Sequence, residues 1–438
     1  MSWIAAPEGA AVAFIFMLVL MLAGFPVFIA FMTMNVAAVL LLFGPRGFSM
    51  LTNSIFDTLT SSTLAPIPLF ILMGEVLFRS GTAGVVFQSM DTLISRMRGR
   101  DFVLSTALST VFGALSGAAV GVAAMMGRTL LPQMRSRQCD TRLSVGSIIA
   151  GACLAPIIPP SVLIVIIGMT AEVSIARLLV GGILPGLLLA LMILGYCMLR
   201  VSMNPQLAPA QPATDRQASG RERLLAMLRI LPFGVIVFCV VGFILIGVAT
   251  PSEAAATGVL AALLSAAFFG RLSWNMVGQS LVSAGFISAM ILIIMASSKL
   301  FSQLLAFTGA TTALANVVVG SDLATWQMVL LMMLVPFVLC MFMDQIAMML
   351  IFIPIYKPLL PVLGLDPVWF WILFLINVTL GGFTPPFGYV VFALKGAVPE
   401  LRLAEIFAAT WPFVGVFVLA MLVMAAFPQI ITFLPSLM

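Results

Sequence analysis

The sequence predicts an all-α polytopic membrane protein, and three observations lead to this prediction. Of the 438 residues, 62% are hydrophobic and 8% are charged, whereas a soluble domain carries about a quarter charged residues. The mean hydropathy is +1.22. The apolar runs are long and continuous, which favours helices over the alternating segments of a membrane β-barrel. At about 20 apolar residues per crossing, the length allows on the order of ten to twelve crossings of a lipid bilayer.

The chain divides into two similar halves. Residues 201–229 include the one long polar, proline-rich stretch and are predicted to be a cytoplasmic linker between a first repeat, 1–200, and a second repeat, 230–438. Proline motifs recur in the same order at an offset of roughly 225 residues, a design that recurs in secondary transporters. The matching positions are Pro26 and Pro251, Pro159-Pro160 and Pro385-Pro386, and Pro185 and Pro412.

The charge distribution predicts the orientation of each half. Three arginine-rich loops should be cytoplasmic by the positive-inside rule; they hold Arg96, Arg98 and Arg100, then Arg135, Arg137 and Arg142, then Arg200, Arg216, Arg221, Arg223 and Arg229. Residues 102–134 lie between the first two loops, so we expect a re-entrant helical hairpin that opens to the cytoplasm. The equivalent segment, 327–361, has almost no positive charge beside it and should open to the outside. Five crossings and one hairpin per half invert the second repeat and put both termini in the periplasm.

Each proline pair is predicted to break a helix inside the membrane, within residues 146–170 and 367–395. A proline pair removes two N–H donors and forces the preceding residue out of the helical conformation. Non-helical backbone is tolerated at this depth only where it is buried in protein or lines a cavity. The released carbonyls suit Na⁺, and the new helix N-terminus suits an anion. For a single proline pair, a simple kink of the helix is the alternative interpretation. The presence of two related proline pairs favours a binding site.

Several motifs together resemble the large membrane (permease) subunit of tripartite ATP-independent periplasmic (TRAP) transporters, over essentially the whole chain. They are FGALSGAAVGVAAMMGRTLLPQM (112–134), APIIPPSVLIVIIGMTAEVSIARLLVGGILPG (155–186), TPSEAAATGV (250–259), MDQIAMMLIFIPI (343–355), LGLDPVWF (363–370) and GGFTPPFGY (381–389). The chain departs from the family at Ala155, where members often carry Gly, and at Cys139-Asp140, where they often carry Gly-Tyr. The first departure bears on the geometry of a cation site, whereas the second lies on a loop.

The resemblance implies secondary active, Na⁺-coupled uptake of a small organic acid anion across the bacterial inner membrane. It implies an elevator-type movement of the hairpin-containing domain. The implied partners are a periplasmic substrate-binding protein and a small four-helix membrane subunit, which we expect to be a separate chain. C4-dicarboxylates are the default substrate, with sialic acid, 2-oxo acids and other carboxylates left open. A proton-coupled organic anion transporter or antiporter that needs no binding protein is the alternative.

The predicted Na⁺ ligands lie at the two breaks and at the hairpin tips that face them. At the first break they are Ala155, Ile158 and Pro160, with Ser116 and Gly117 at the tip. At the second break they are Gly381, Thr384 and Pro386, with Asp344 at the tip. The anionic substrate is expected between the tips, near the helix N-terminus at Ser161, with Ser116 and Thr384 also contributing.

Composition argues against other classes of function. The sequence contains no histidine, which removes imidazole metal sites and histidine-based catalytic triads. No lysine follows a G-x-x-x-x-G loop, so the chain has no phosphate-cradling ATPase motif. The five cysteines are scattered and fit core positions. We therefore expect no enzyme, no cofactor beyond Na⁺ as coupling ion, and no nucleic-acid partner.

Four further charged residues are candidates without an assigned role. Glu253 follows a Thr-Pro-Ser helix start and fits a cap, and Arg128 fits a headgroup anchor. Glu75 and Lys299 lie late in equivalent segments, where each could extend its charged group toward the interface.

Overall fold

A computed structural model describes residues 7–94, 98–209 and 219–438, and every regular element within these ranges is helical. The side chains of residues 7, 8, 10, 11, 83, 115 and 116 lie outside the description. Of the predicted positive-loop residues, Arg96 and Arg216 also lie outside it. Within the described ranges, seven helical segments are long and apolar enough to cross a membrane. The all-α polytopic class is confirmed.

The described part of the first half contains twelve α-helices. They are α1 Pro7–Leu22, α2 Val27–Phe43, α3 Phe48–Leu59, α4 Pro66–Arg79, α5 Ala83–Leu93, α6 Arg100–Ser116, α7 Ala119–Thr129, α8 Leu131–Ser136, α9 Thr141–Ala152, α10 Val162–Ala171, α11 Ile175–Gly181 and α12 Ile183–Met203.

The second half contains another twelve among the described residues. They are α13 Gly220–Val237, α14 Phe243–Leu245, α15 Pro251–Phe268, α16 Trp274–Phe307, α17 Ala310–Val319, α18 Thr325–Cys340, α19 Gln345–Tyr356, α20 Leu359–Val362, α21 Pro367–Gly381, α22 Tyr389–Ala397, α23 Leu403–Ala426 and α24 Gln429–Thr432. A π-helical turn, Phe238–Gly242, joins α13 to α14, and short 3₁₀ turns lie at Gly44–Gly47, Ser62–Leu64, Pro205–Leu207 and Pro435–Leu437.

The two halves share one order of elements around their proline pairs. In each half two helices meet at a short tip, α6 and α7 in the first half and α18 and α19 in the second. Further along the chain, a non-helical segment separates α9 from α10 in the first half and α21 from α22 in the second. Pro385 follows Pro159 by 226 residues, and both proline pairs have a cis peptide bond. Helices α9, α10 and α21, which flank the breaks, are 10 to 15 residues long. Each is too short to cross the membrane fully.

Helical structure extends into both ends of the predicted linker, residues 201–229. Helix α12 continues to Met203, and α13 already begins at Gly220, while residues 210–218 lie outside the description. The early start has a local cause. Ser219 and Glu222 form a capping box, in which the Ser219 hydroxyl accepts the N–H of Glu222 at 3.2 Å and the Glu222 carboxylate accepts the N–H of Ser219.

An ion-pair cluster fixes the base of the first hairpin. Arg137, after α8, pairs with Asp101 at the start of α6, and Arg100 pairs with Asp91 on α5. Asp101 is buried, and it accepts a hydrogen bond from the Cys139 thiol at 3.5 Å. Burial and this carboxylate raise the pKa of Cys139 to about 12, so the thiol stays protonated at neutral pH. The cluster closes the hairpin at the end opposite its tip.

The halves interlock around the hairpins. Helix α7 of the first hairpin packs against α22, which follows the second break. Helix α19 of the second hairpin packs in turn against α10, which follows the first break. Helices α15 and α16 both pack against α4 beside this core, and α4 also contacts α10. The two tips and the two breaks are thereby brought to the same place.

Candidate functional site

A cavity of about 320 Å³ lies where the two hairpin tips meet. Both halves contribute to its wall, as do two helices outside the hairpins. The lining residues are 117–121 from the first tip, Val162 and Leu163 from α10, Asp344, Gln345 and Ile346 from the second tip, Tyr389 from α22, Ile71, Gly74, Glu75 and Phe78 from α4, and Ile287 and Ile291 from α16.

Four helices begin at this cavity. The first residues of α7, α10, α19 and α22 all line it. A helix N-terminus carries a partial positive charge and unpaired N–H groups. Asp344 caps α19 by accepting the N–H of Ile346 at 2.9 Å, and Ser161 caps α10, whereas α7 and α22 have no side-chain cap. The cavity therefore offers donors and positive potential to an anionic group.

The first break touches the tip of the first hairpin. Gly117 ends α6 with φ of +62°, a conformation that favours glycine. A Cβ atom at Gly117 would lie 3.6 Å from the carbonyl oxygen of Pro160. One turn earlier the approach is closer, because a Cβ at Gly113 would lie 2.9 Å from the Cα of Ala155. The tip and the break meet backbone to backbone.

The first break leaves carbonyl groups unpaired. Among the described residues, no N–H or O–H group donates to the carbonyl of Ala155, Ile158 or Pro160. Ala155 is fully buried, so its carbonyl is also removed from water. A buried carbonyl without a donor is costly, and a coordinated cation would satisfy it.

The second break is tied to the second tip by two hydrogen bonds. The N–H of Gly388 donates to the carbonyl of Met341 at 3.2 Å, and the Tyr389 hydroxyl hydrogen-bonds to the Gln345 side chain. Inside the break the N–H of Thr384 donates to the carbonyl of Gly381 at 3.2 Å. No donor to the carbonyl of Thr384 or Pro386 occurs among the described residues.

Comparison with known proteins identifies the family. The family model for the DctM component of tripartite ATP-independent periplasmic transporters matches residues 14–430. The chain belongs to this family. It is 31% identical to the ectoine TRAP transporter large permease protein TeaC of Halomonas elongata, over 96% of this chain and 97% of TeaC. It is 27% identical to the C4-dicarboxylate TRAP transporter large permease protein DctM of Pseudomonas aeruginosa, over 91% and 92% of the two chains.

A solved structure shares the fold. The YdaH transporter of Alcanivorax borkumensis superposes with a TM-score of 0.62 at 14% identity, covering 89% of this chain and 91% of that one. The TRAP large permease is therefore a multi-span membrane transporter, and its class performs secondary transport that depends on a substrate-binding protein.

The TRAP permease structure places the predicted site residues unevenly around the cavity. Gly117 and Asp344 line it, and Asp344 is exposed there. The side chain of Ser116 lies outside the described residues, although its backbone ends α6. The predicted ligands at the two breaks are not among the lining residues; they are Ala155, Ile158, Pro160, Gly381, Thr384 and Pro386. Na⁺ binding by these groups stays a prediction.

Two predicted substrate ligands of the TRAP permease are not part of the cavity wall. Ser161 is fully buried, and its hydroxyl donates to the carbonyl of Pro156 at 2.6 Å. Thr384 is also fully buried, and its hydroxyl donates to the carbonyl of Leu380 at 2.6 Å. Both hydroxyls bond to carbonyl groups at the helix breaks and hold those segments in shape.

Sequence reasoning left the role of Glu75 open and did not name Tyr389. Both line the cavity. An acidic residue inside an apolar helix was the signal for Glu75. The other unassigned charges are elsewhere: Lys299 pairs with Asp57 at 3.4 Å, and Glu253 accepts the N–H of Thr250 at 2.8 Å in a capping box. Arg128 is exposed near the end of α7.

Proposed function

We propose that this TRAP permease couples uptake of a small carboxylate-bearing solute to the Na⁺ gradient, with the solute bound in the cavity between the hairpin tips. The observation that carries the proposal is that both breaks have carbonyls without a donor among the described residues, and that each break precedes one of the four helices that begin at the cavity. Carbonyls at broken helices suit Na⁺, and helix N-termini suit a carboxylate. Among candidate solutes, C4-dicarboxylates and ectoine are those in the names of the relatives.

The transport cycle we propose is an elevator movement. The hairpins and broken helices would move together, since they interlock, while α4, α15 and α16 stay fixed in the membrane. The two halves would be inverted repeats in the bacterial inner membrane, with both termini in the periplasm. A periplasmic binding protein would deliver the solute, and a small four-helix membrane subunit would complete the membrane complex.

Uptake should rise sigmoidally with external Na⁺, because one cation site per break makes at least two sites that must fill. The measurement is initial uptake into proteoliposomes that contain both membrane subunits and the binding protein, with choline replacing Na⁺ and the membrane potential clamped. ATP should have no effect. A hyperbolic Na⁺ curve would contradict the two-site proposal, and uptake driven by a proton gradient without Na⁺ would favour the proton-coupled alternative.

Proteoliposomes that contain only this chain should not take up the solute, because transport in the class depends on a binding protein. Adding the small membrane subunit alone should not restore uptake, and adding both partners should. Intact protein in each preparation is verified by a monodisperse elution profile. Full Na⁺-driven uptake by the chain alone would contradict the proposed assembly.

A further inference from the structure

We infer that the transported solute is a zwitterion and that Glu75 recognises its positively charged group. The inference rests on the proposed function, since it takes the cavity between the hairpin tips as the solute site. It assigns different parts of the cavity wall to the two charges of the solute.

The carboxylate end is the start of α7. This helix has no side-chain cap, and the N–H groups of Ala119, Val120 and Gly121 donate to no described residue. All three residues line the cavity. Unpaired N–H groups at a helix start bind a carboxylate well, because the helix dipole adds to the hydrogen bonds.

The cationic end is Glu75 on α4. Its Oε2 atom accepts the Nε–H of Arg79 at 2.7 Å, whereas its Oε1 atom has no protein partner in the described ranges. Arg79 is not among the residues that line the cavity, and it also donates to Gln279 at 3.2 Å. Glu75 therefore lines the cavity with one carboxylate oxygen paired to Arg79 and the other without a hydrogen-bond partner among the described residues.

The charge of the wall argues against a dianion. The described residues that line the cavity include Glu75 and Asp344 but no lysine or arginine. A second carboxylate on the solute would face Glu75 between apolar walls, where like charges repel strongly. Na⁺ at the breaks can offset Asp344. Arg79 offsets the charge of Glu75 only in part, because Arg79 does not line the cavity and leaves the Oε1 atom of Glu75 without a hydrogen-bond partner among the described residues. The cavity wall therefore favours a solute with a positively charged group over a solute with a second carboxylate.

The test is direct binding of radiolabelled ectoine, a zwitterion, to the purified complex of the two membrane subunits at saturating Na⁺. Unlabelled succinate should fail to displace it. Glu75→Gln should weaken ectoine binding about tenfold, the effect of losing one charge-assisted hydrogen bond, and Glu75→Asp should restore part of the affinity. The matched control is Arg79→Gln, which removes the ion pair but keeps the Glu75 charge and should leave ectoine binding intact or tighter.

Three results would overturn the inference: ectoine does not bind the wild-type complex, succinate displaces ectoine, or Glu75→Gln binds ectoine as the wild type does. Equal losses in Glu75→Gln and Arg79→Gln would also overturn it, because they would show that the pair only stabilises α4. The proposed function is tested separately by Na⁺-driven uptake in the three-component system. A complex that takes up succinate with Na⁺ would keep that function and refute the zwitterion.

Discussion

Replacing Gly113 with valine is expected to lower the rate of uptake at least about tenfold while the protein still folds. A Cβ atom at this position would lie 2.9 Å from the Cα and 3.0 Å from the backbone nitrogen of Ala155. These are backbone atoms of the first break, so they cannot rotate away as a side chain would. The valine must push the hairpin off the break and displace the unpaired carbonyls of the break.

The control for Gly113→Val is Gly195→Val on α12. A Cβ at Gly195 meets nothing within 4 Å, and the residue is exposed on the outside of the molecule. Uptake by this control should match the wild type. Folding of both variants is checked by far-ultraviolet circular dichroism and by a monodisperse elution profile. Wild-type uptake by a folded Gly113→Val protein would show that this contact does not matter for transport.

The sequence was sufficient to predict the helical class and the two interruptions. Proline pairs disturb a helix through covalent geometry alone, so their effect is independent of the surrounding fold. The helix start at Thr250 was similarly readable, because a capping box is complete within four residues. Features that depend only on neighbouring residues can therefore be predicted from the sequence.

The convergence of the four helix starts was not readable from sequence. It depends on α7 packing against α22 and α10 packing against α19, and the helices of each pair are more than 170 residues apart in the chain. Hydrophobic periodicity shows that a helix has an apolar face but does not name the partner of that face. The cavity therefore appears only when both halves are assembled.

Two hydroxyl groups that were predicted to contact the solute are buried and do not line the cavity. The Ser161 hydroxyl donates to the carbonyl of Pro156, and the Thr384 hydroxyl donates to the carbonyl of Leu380. Sequence shows that a hydroxyl lies beside a break, but not whether it satisfies the break or faces the solute. Glu75 is the opposite case, because it had no predicted role and yet lines the cavity. Only the folded structure brings α4 to the hairpin tips.

Replacing Asp344 with asparagine is expected to raise the Na⁺ concentration for half-maximal uptake several-fold and to make the Na⁺ curve less steep. Asp344 is exposed in the cavity at the tip of the second hairpin and is the acidic residue among the predicted Na⁺ ligands. Its Oδ2 atom accepts the N–H of Ile346 at 2.9 Å and thereby caps α19. Asparagine caps a helix about as well as aspartate, so the change removes the charge and keeps the shape.

The matched control for Asp344→Asn is Asp366→Asn. Asp366 caps α21 in the same way, by accepting the N–H of Trp369 at 2.8 Å, but it does not line the cavity. Loss of a helix cap alone would therefore affect both variants equally, whereas loss of a cation ligand affects Asp344→Asn only. A lower maximal rate with an unchanged Na⁺ curve would assign Asp344 to the solute instead. If both the midpoint and the steepness stay at wild-type values, the carboxylate does not bind Na⁺, and the second site must consist of the carbonyls of Thr384 and Pro386 alone.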